Sequence, residues 1–370
     1  MISFELSEEQ TAIREVIAEF ARDQIRPAAR PADESGTIDP AMIAAAGQLR
    51  LTAGWIPEQY GGDGSPRSAL TGALIAEELA WGDLAIAIEL LAPRLLVCPI
   101  LEWGSEAQRA RSIARFAGAE YAPAAIAIAE PRYDFDPLTM TTAARRDGSN
   151  WLISGDKCLV PMAAESEEII VCAALEGEPG LANAGAFIVP RGTPGLKISA
   201  REKNMGIKAL PTYRVTFDQC RIGPTSRLED PTGSFDFARM VAQTRVAMVA
   251  MATGVARAAF DYAREYAKDR KAFGAPIATR QAIAFMLADM AIEVDAMRLL
   301  AWEAAWRLDR GESAFTEAAL ARNYAADAVL KVTDNAVQVL GGHGYIREHP
   351  VEMWLRNGRG FSAFEGLAIV

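Results

Sequence analysis

Apolar and polar positions change period twice along the chain. From residue 7 the pattern is helical. Ser7-Glu8-Glu9-Gln10 is a capping box: the serine hydroxyl accepts from the N–H three residues on, and Gln10 reaches back. Ile13, Ile17 and Phe20 then fall on one face, and Pro27 predicts the end of that helix. Trp55–Pro66 holds too much glycine and proline for a regular element and predicts a loop, after which Ser68–Leu91 resumes helical spacing.

From about residue 124 the pattern shortens. Ala124–Ala129, Trp151–Ile153, Ile169–Leu175, Ala186–Val189 and Tyr213–Phe217 predict strands, separated by Asp147-Gly148, Ser154-Gly155 and Thr193-Pro194-Gly195. Tyr213, Val215 and Phe217 alternate with Arg214 and Thr216, the period of a half-buried strand. From residue 233 long helical stripes return: Val241, Thr244, Met248, Met251, Val255, Ala258 and Tyr262, then Ile283, Leu287, Met290, Val294, Met297 and Ala301. Such stripes ordinarily pack the core of a helix bundle. The expected fold class is therefore α+β, with an N-terminal helical domain (1–123), a central antiparallel β-domain (124–232) and a C-terminal helical bundle (233–370).

Length agrees with this division, because 370 residues exceed what one hydrophobic core sustains. A net charge of −10 argues against a nucleic-acid binder and against docking on anionic lipid. No uncharged apolar run reaches the length of a bilayer; the nearest, Leu84–Leu101, is broken by Glu89, Pro93 and Arg94. The N-terminus has neither the basic nor the apolar region of a signal peptide. Cys98, Cys158, Cys172 and Cys220 fit no metal or redox spacing and read as reduced thiols of a cytoplasmic protein. The only histidines, His343 and His349, leave little material for a zinc site or a catalytic triad, so no metal is expected.

Three segments carry candidate chemistry. Gly341-Gly342-His343-Gly344 follows a helical run; it reads as a helix C-cap, or as bare N–H groups that a phosphate can approach. Asp269–Gly274 is a basic turn between long helices, in which Arg270 can fork onto a phosphate and Phe273 can cover an aromatic ring. Otherwise it is a solvated loop. Glu365 stands among Phe361, Phe364 and Gly366, where desolvation suits a general base, although a lone glutamate usually lies on the surface. There is no GxGxxG after a strand and no GxxxxGK[ST].

Together these segments resemble the acyl-CoA dehydrogenase family over nearly the whole chain. Gly206-Ile207-Lys208 with Thr212, Val215, Phe217 and Asp218 resembles the family's "MGxR…T…F" stretch, and Arg270–Gly274 with Gln281 resembles "RxxFG…Q". Gln338–Tyr345 resembles "QxxGGxGY", and Phe364-Glu365-Gly366 resembles "YEG". The resemblance implies a C-terminal four-helix bundle, FAD as cofactor, and α,β-dehydrogenation of an acyl-CoA thioester. Glu365 would take the α-proton, its own N–H would help polarise the thioester carbonyl, and Arg245 in Thr244-Arg245 would orient the base loop. Arg270, Phe273, Gln281, Gln338, Gly341 and Gly342 would bind the dinucleotide half of FAD across a subunit interface. The implied partners are an electron-transferring flavoprotein and further subunits in a dimer or tetramer, and the implied setting is fatty acid or steroid side-chain degradation.

The flavin face departs from the family pattern. Ala129 replaces the threonine of "TEPxAGSD", whose Gly-Ser turn is gone, and Leu159 and Pro161 replace the tryptophan and threonine of "KxWIT". Leu210 replaces the serine of "RxS", and the chain given ends at Val370 without the family's final helix. These departures leave three expectations: a dehydrogenase with an unusual flavin pocket, a subunit that lends its dinucleotide half-site to a heteromeric partner, or a flavin-free isomerase or lyase using Glu365 alone.

Overall fold

The capping box forms as expected: Ser7 Oγ accepts from Gln10 N at 3.1 Å, Ser7 N donates to Gln10 Oε1 at 3.0 Å, and α1 runs Glu8–Phe20. The structure, a computed structural model, describes residues 4–118, 120–176, 180–229 and 233–370. Residues 1–3 of the N-terminus and the boundary expected at 232 lie outside the described residues.

Pro27 does not end the first helix. The chain continues through a wide turn, Ala21–Ile25, into α2, Arg26–Ser35. Arg26 N–H closes back to Ala21 O in that turn, and Pro27 falls in the first turn of α2, where a missing N–H forfeits little. After α3, Pro40–Gly47, the loop expected at Trp55–Pro66 forms, with short 3-10 turns at its start. The helical stretch from Ser68 is split at Asp83. Its extended backbone ends α4, Ala69–Gly82, and its carboxylate accepts from Ile86 N at 3.0 Å to start α5, Leu84–Leu91. Next come α6, Arg94–Trp103, and α7, Glu106–Ser112. By length and composition Leu84–Trp103 does reach a bilayer span, with a mean hydropathy of 2.1, but 94% of that window is buried inside the protein. Its apolarity is spent in the core of α5 and α6.

The central unit is a seven-stranded sheet in which β1 (Ala125–Ala127), β2 (Ala143–Asp147), β3 (Asn150–Pro161), β4 (Glu168–Leu175), β6 (Leu196–Ile198) and β7 (Thr212–Ile222) run in the order β1-β4-β2-β3-β7-β6, while β5 (Ala184–Pro190) also pairs with β4. The expectation of an antiparallel sheet needs correction: β4 pairs parallel with both β1 and β2. Alternation divides β4 between two cores. Ile169, Val171 and Ala173 join the cluster around Trp151 and Phe217, whereas Ile170 and Cys172 join the helical core. β2 and β6 had no strand signal. On β2 only Ala144 is buried, among Arg145, Arg146 and Asp147, and β6 is three residues long.

The third unit holds α8 (Phe237–Asp269), a hairpin of β8 (Lys271–Ala272) and β9 (Ala275–Pro276), then α9 (Gln281–Asp309) and α10 (Phe315–Leu340). The short helices α11 (Gly342–Tyr345) and α12 (Val351–Arg359) complete it. The expected four-helix bundle has three long members among the described residues; α8 packs also on α4 and on α12. Both long stripes face inward, with Met290, Val294, Met297 and Ala301 of α9 buried. Buried Glu77 and Glu78 of α4 tie the units together through Arg298 of α9 at 2.9 Å and Arg257 of α8 at 2.5 Å.

Glu89 on α5 is buried, and burial, with repulsion from Glu165, pushes its carboxyl up to about 7. Its folded-state pKa thus exceeds that of the unfolded chain, so the native state holds this proton more tightly. Its contribution to stability is most favourable below the usual glutamate range and declines as pH rises to about 7, above which the full penalty applies. Glu89→Gln should therefore stabilise the protein by on the order of 1–2 kcal/mol at pH ~8 and by little at pH ~4. Denaturant unfolding at the two pH values measures this; a gain equal at both would contradict it.

Candidate active site

Glu365 follows the turn Gly360–Ser362 that ends α12. Two glycines set the shape of this loop. A Cβ on Gly360 would stand 2.0 Å from Phe364 Cζ, and Gly366 has φ +74 with Ile128 Cδ1 2.8 Å from its would-be Cβ. Phe364 packs edge-on to Phe361, ring centroids 5.5 Å apart, and both rings are buried. The glutamate is no surface residue: its side chain is 3% exposed.

Its carboxylate is paired on two sides. Arg245 Nε from α8 lies 3.2 Å from Oε1 and Arg245 Nη2 lies 3.5 Å from Oε2. Arg322 Nε from α10 lies 3.1 Å from Oε2, and Arg322 Nη2 donates to Phe364 O at 3.4 Å. The surroundings are thus not purely apolar, as the flanking phenylalanines alone suggested. A desolvated carboxylate needs such partners, because burying it alone costs several kcal/mol. Arg245 was expected here; Arg322 was not. It lies on α10, 43 residues before Glu365 in the numbering, and no spacing rule joins the two.

The β-domain meets this loop at Ile128, just beyond β1. Next to it stands a fully buried pair. Lys157 Nζ donates to Glu130 Oε1 at 3.2 Å and to Ile128 O at 2.9 Å, while Glu130 accepts from the N–H groups of Thr141 and Thr142. Lys157 and these donors hold the Glu130 carboxyl down at about 2 against the opposing pull of burial. Ala129 O accepts from Cys158 N at 3.0 Å. Leu159 takes a left-handed φ of 52 at an irregularity in the β3–β7 pairing, with its N–H on the Glu202 carboxylate. Ala129, Pro161 and Leu210 are buried, and none of these three side chains offers a hydrogen bond.

The remaining expected residues lie at the other end of the third unit. A cavity of about 320 Å³ is lined by Tyr266, Arg270, Ile277, Val339, Leu340, Gly341, Gly342 and His343. It brings Arg270, Gly341 and Gly342 together. Nothing stands within 4 Å of a would-be Cβ on either glycine, so their backbone is open to a ligand. Phe273, Gln281 and Gln338 do not line this cavity. Phe273 is 97% exposed at the hairpin tip, and Gln281 and Gln338 are exposed on α9 and α10. Both histidines are held by tyrosines: Tyr266 Oη–His343 Nδ1 is 2.6 Å and Tyr262 Oη–His349 Nδ1 is 2.7 Å.

Three family models match the chain in order: acyl-CoA dehydrogenase N-terminal domain over residues 7–120, middle domain over 125–220 and C-terminal domain over 236–368. A Mycobacterium leprae protein named probable acyl-CoA dehydrogenase fadE25 is 35% identical, the alignment covering 98% of this chain and 93% of that protein. The mitochondrial short-chain specific acyl-CoA dehydrogenase of Bos taurus is 34% identical, over 98% and 88%. Among solved structures, butyryl-CoA dehydrogenase from Megasphaera elsdenii superposes with a TM-score of 0.87 at 30% identity, over 99% of this chain and 96% of that one. A glutaryl-coenzyme A dehydrogenase in complex with glutaryl-CoA gives 0.86 at 30%, over 97% and 92%.

The Glu365 loop depends on the missing side chain at position 360. Gly360→Ala should force the Phe364 ring from its place and destabilise the protein by about 1–3 kcal/mol. Thermal unfolding measures the cost, and a near-ultraviolet dichroism change reports the displaced ring; a variant identical to wild type in both would refute this account of the loop.

Proposed function

The chain belongs to the acyl-CoA dehydrogenase family, and from that membership we propose that Glu365 is the base that takes the α-proton of a bound acyl-CoA thioester. The family reaction is FAD-dependent α,β-dehydrogenation, an oxidoreductase chemistry. The observation that carries the assignment is a buried carboxylate held by two guanidiniums in a loop shaped by Gly360 and Gly366. The Cα–H bond breaks, its proton goes to a Glu365 oxygen, and its electron pair is drawn toward the thioester carbonyl. There the N–H of Glu365 acts as an oxyanion-type donor. Arg245 holds the carboxylate in place, and the Phe361–Phe364 pair keeps water from it. FAD, when bound, supplies the acceptor for the β-hydride.

The dinucleotide end suits this chain. Arg270 is exposed and shares a cavity with the open backbone of Gly341 and Gly342, which is what a pyrophosphate requires. Phe273, Gln281 and Gln338 are exposed and available to a neighbouring subunit. At the flavin-ring end Ala129, Leu159 and Pro161 offer backbone and apolar packing only. Losing hydrogen bonds worth roughly 1 kcal/mol each weakens cofactor affinity. Phe285, Ile292 and Leu299 form an exposed apolar stripe on α9, and Leu320 is exposed on α10. A second subunit covering this face fits the oligomers of the family, and an electron-transferring flavoprotein is the expected oxidant. Four free thiols fit the reducing cytoplasm.

The apolar flavin end beside an intact dinucleotide half-site also supports a second reading, in which this chain completes the FAD site of a related partner. Purified protein should be yellow, and Glu365→Gln should lose at least about 10³-fold in dye-coupled oxidation of butyryl-CoA and longer esters while keeping its flavin. A colourless, inactive homomer that gains flavin and activity with a related chain favours the second reading. Full activity in Glu365→Gln would refute the base assignment.

A further inference from the structure

The two oxygens of Glu365 are not equivalent. Arg322 Nε makes its nearest approach to Oε2, at 3.1 Å, where Arg245 Nη2 also donates at 3.5 Å, whereas Oε1 accepts from Arg245 Nε at 3.2 Å. Arg322 also reaches the backbone of the same loop, through Nη2 to Phe364 O at 3.4 Å. One side chain on α10 therefore touches both the carboxylate and the carbonyl immediately before it. Arg322 Nε is buried and its N–H is not aligned on any acceptor, so its contact with Oε2 is a close ion pair rather than a directed hydrogen bond. The Arg322 side chain is 22% exposed, against 9% for Arg245, so Arg322 is the more accessible of the two and the easier to substitute without opening the core.

Two guanidiniums on one carboxylate give more positive charge than burial of the anion requires. Arg245 alone already makes a two-point contact with both oxygens. The second cation needs another reason, and its bridge to the Phe364 carbonyl supplies one: it ties the direction of the carboxylate to the position of the loop.

We infer that Arg322 is a positioning residue for the dehydrogenation, which engages Glu365 by Oε2 and the Phe364 carbonyl and so leaves Oε1 as the oxygen that accepts the substrate proton. This rests on the reading of Glu365 as the base. Misplacement of a reacting group by about 1 Å costs up to about 10²-fold in rate, while binding of the remote parts of the substrate is unaffected. The role therefore predicts a loss in kcat with KM preserved.

The test uses the holoenzyme with butyryl-CoA and a dye acceptor, and measures exchange of the α-hydrogen with D2O without acceptor. Arg322→Gln should lower kcat about 10–100-fold with KM within about threefold of wild type, and α-exchange should fall by the same factor. Flavin absorbance and the unfolding midpoint should stay near wild type. Arg322→Lys keeps a cation but loses the two-point reach, and should fall between, about 3–10-fold down in kcat and exchange. Wild-type exchange in Arg322→Gln and Arg322→Lys overturns the proposal, as does wild-type exchange in Arg322→Lys alone should Arg322→Gln not fold. A loss confined to KM or to folding also overturns it. Retained activity in Glu365→Gln would instead remove the base assignment beneath it, so the two failures are distinguishable.

Discussion

A carboxylate cannot leave water alone, and this fold is organised by where it buries them. Desolvating an unpaired carboxylate costs several kcal/mol, so a buried acid must take a cation from another element or, like Glu89, hold its proton. Glu77 and Glu78 of α4 find Arg257 and Arg298 on α8 and α9, which holds the N-terminal helices against the long ones. Glu130, past the end of β1, finds Lys157 on β3 and closes the end of the sheet. Glu365 finds Arg245 on α8 and Arg322 on α10, which fixes the Glu365 loop to the bundle. In each case the acid and its cation lie far apart or on different elements, so the pairs act as ties between units as much as local contacts.

The same requirement separates the two ends of the third unit. Around Glu365 the polar groups are already engaged with one another, whereas around Arg270, Gly341 and Gly342 the backbone and the guanidinium face a cavity. The first arrangement suits a reacting group that must be held still. The second suits a charged ligand that supplies its own partners. On β3 and just past β1, Ala129, Leu159 and Pro161 present no side-chain hydrogen-bond donor.

Much of the fold was legible because its signals are local. The capping box at Ser7 needs only four adjacent residues, and it forms with both of its bonds. The stripe from Met290 to Ala301 needs only helical periodicity, and those positions are buried. Local rules failed where a neighbour changed their meaning. Pro27 stops a helix only if its missing N–H matters, and the wide turn at Ala21–Ile25 removes that need. β2 is held in the sheet by pairing with β3 and β4, while four of its five side chains are partly or fully exposed, so its period carried no signal.

By itself the sequence determined the order of helical, sheet and helical units and the presence of a glutamate between aromatic and glycine residues. It also carried Arg270 and the Gly341-Gly342 pair that line one cavity. These depend on residue types at short spacing, which a chain carries wherever it folds. Only the tertiary structure decided that Glu365 is buried, that Arg322 joins Arg245 on its carboxylate, and that Arg322 makes its nearest approach at Oε2. The reason is geometric: the packing of α8, α10 and the loop after α12 brings together side chains that no sequence period relates, and the pairing of buried charge depends on that distance and on their removal from water.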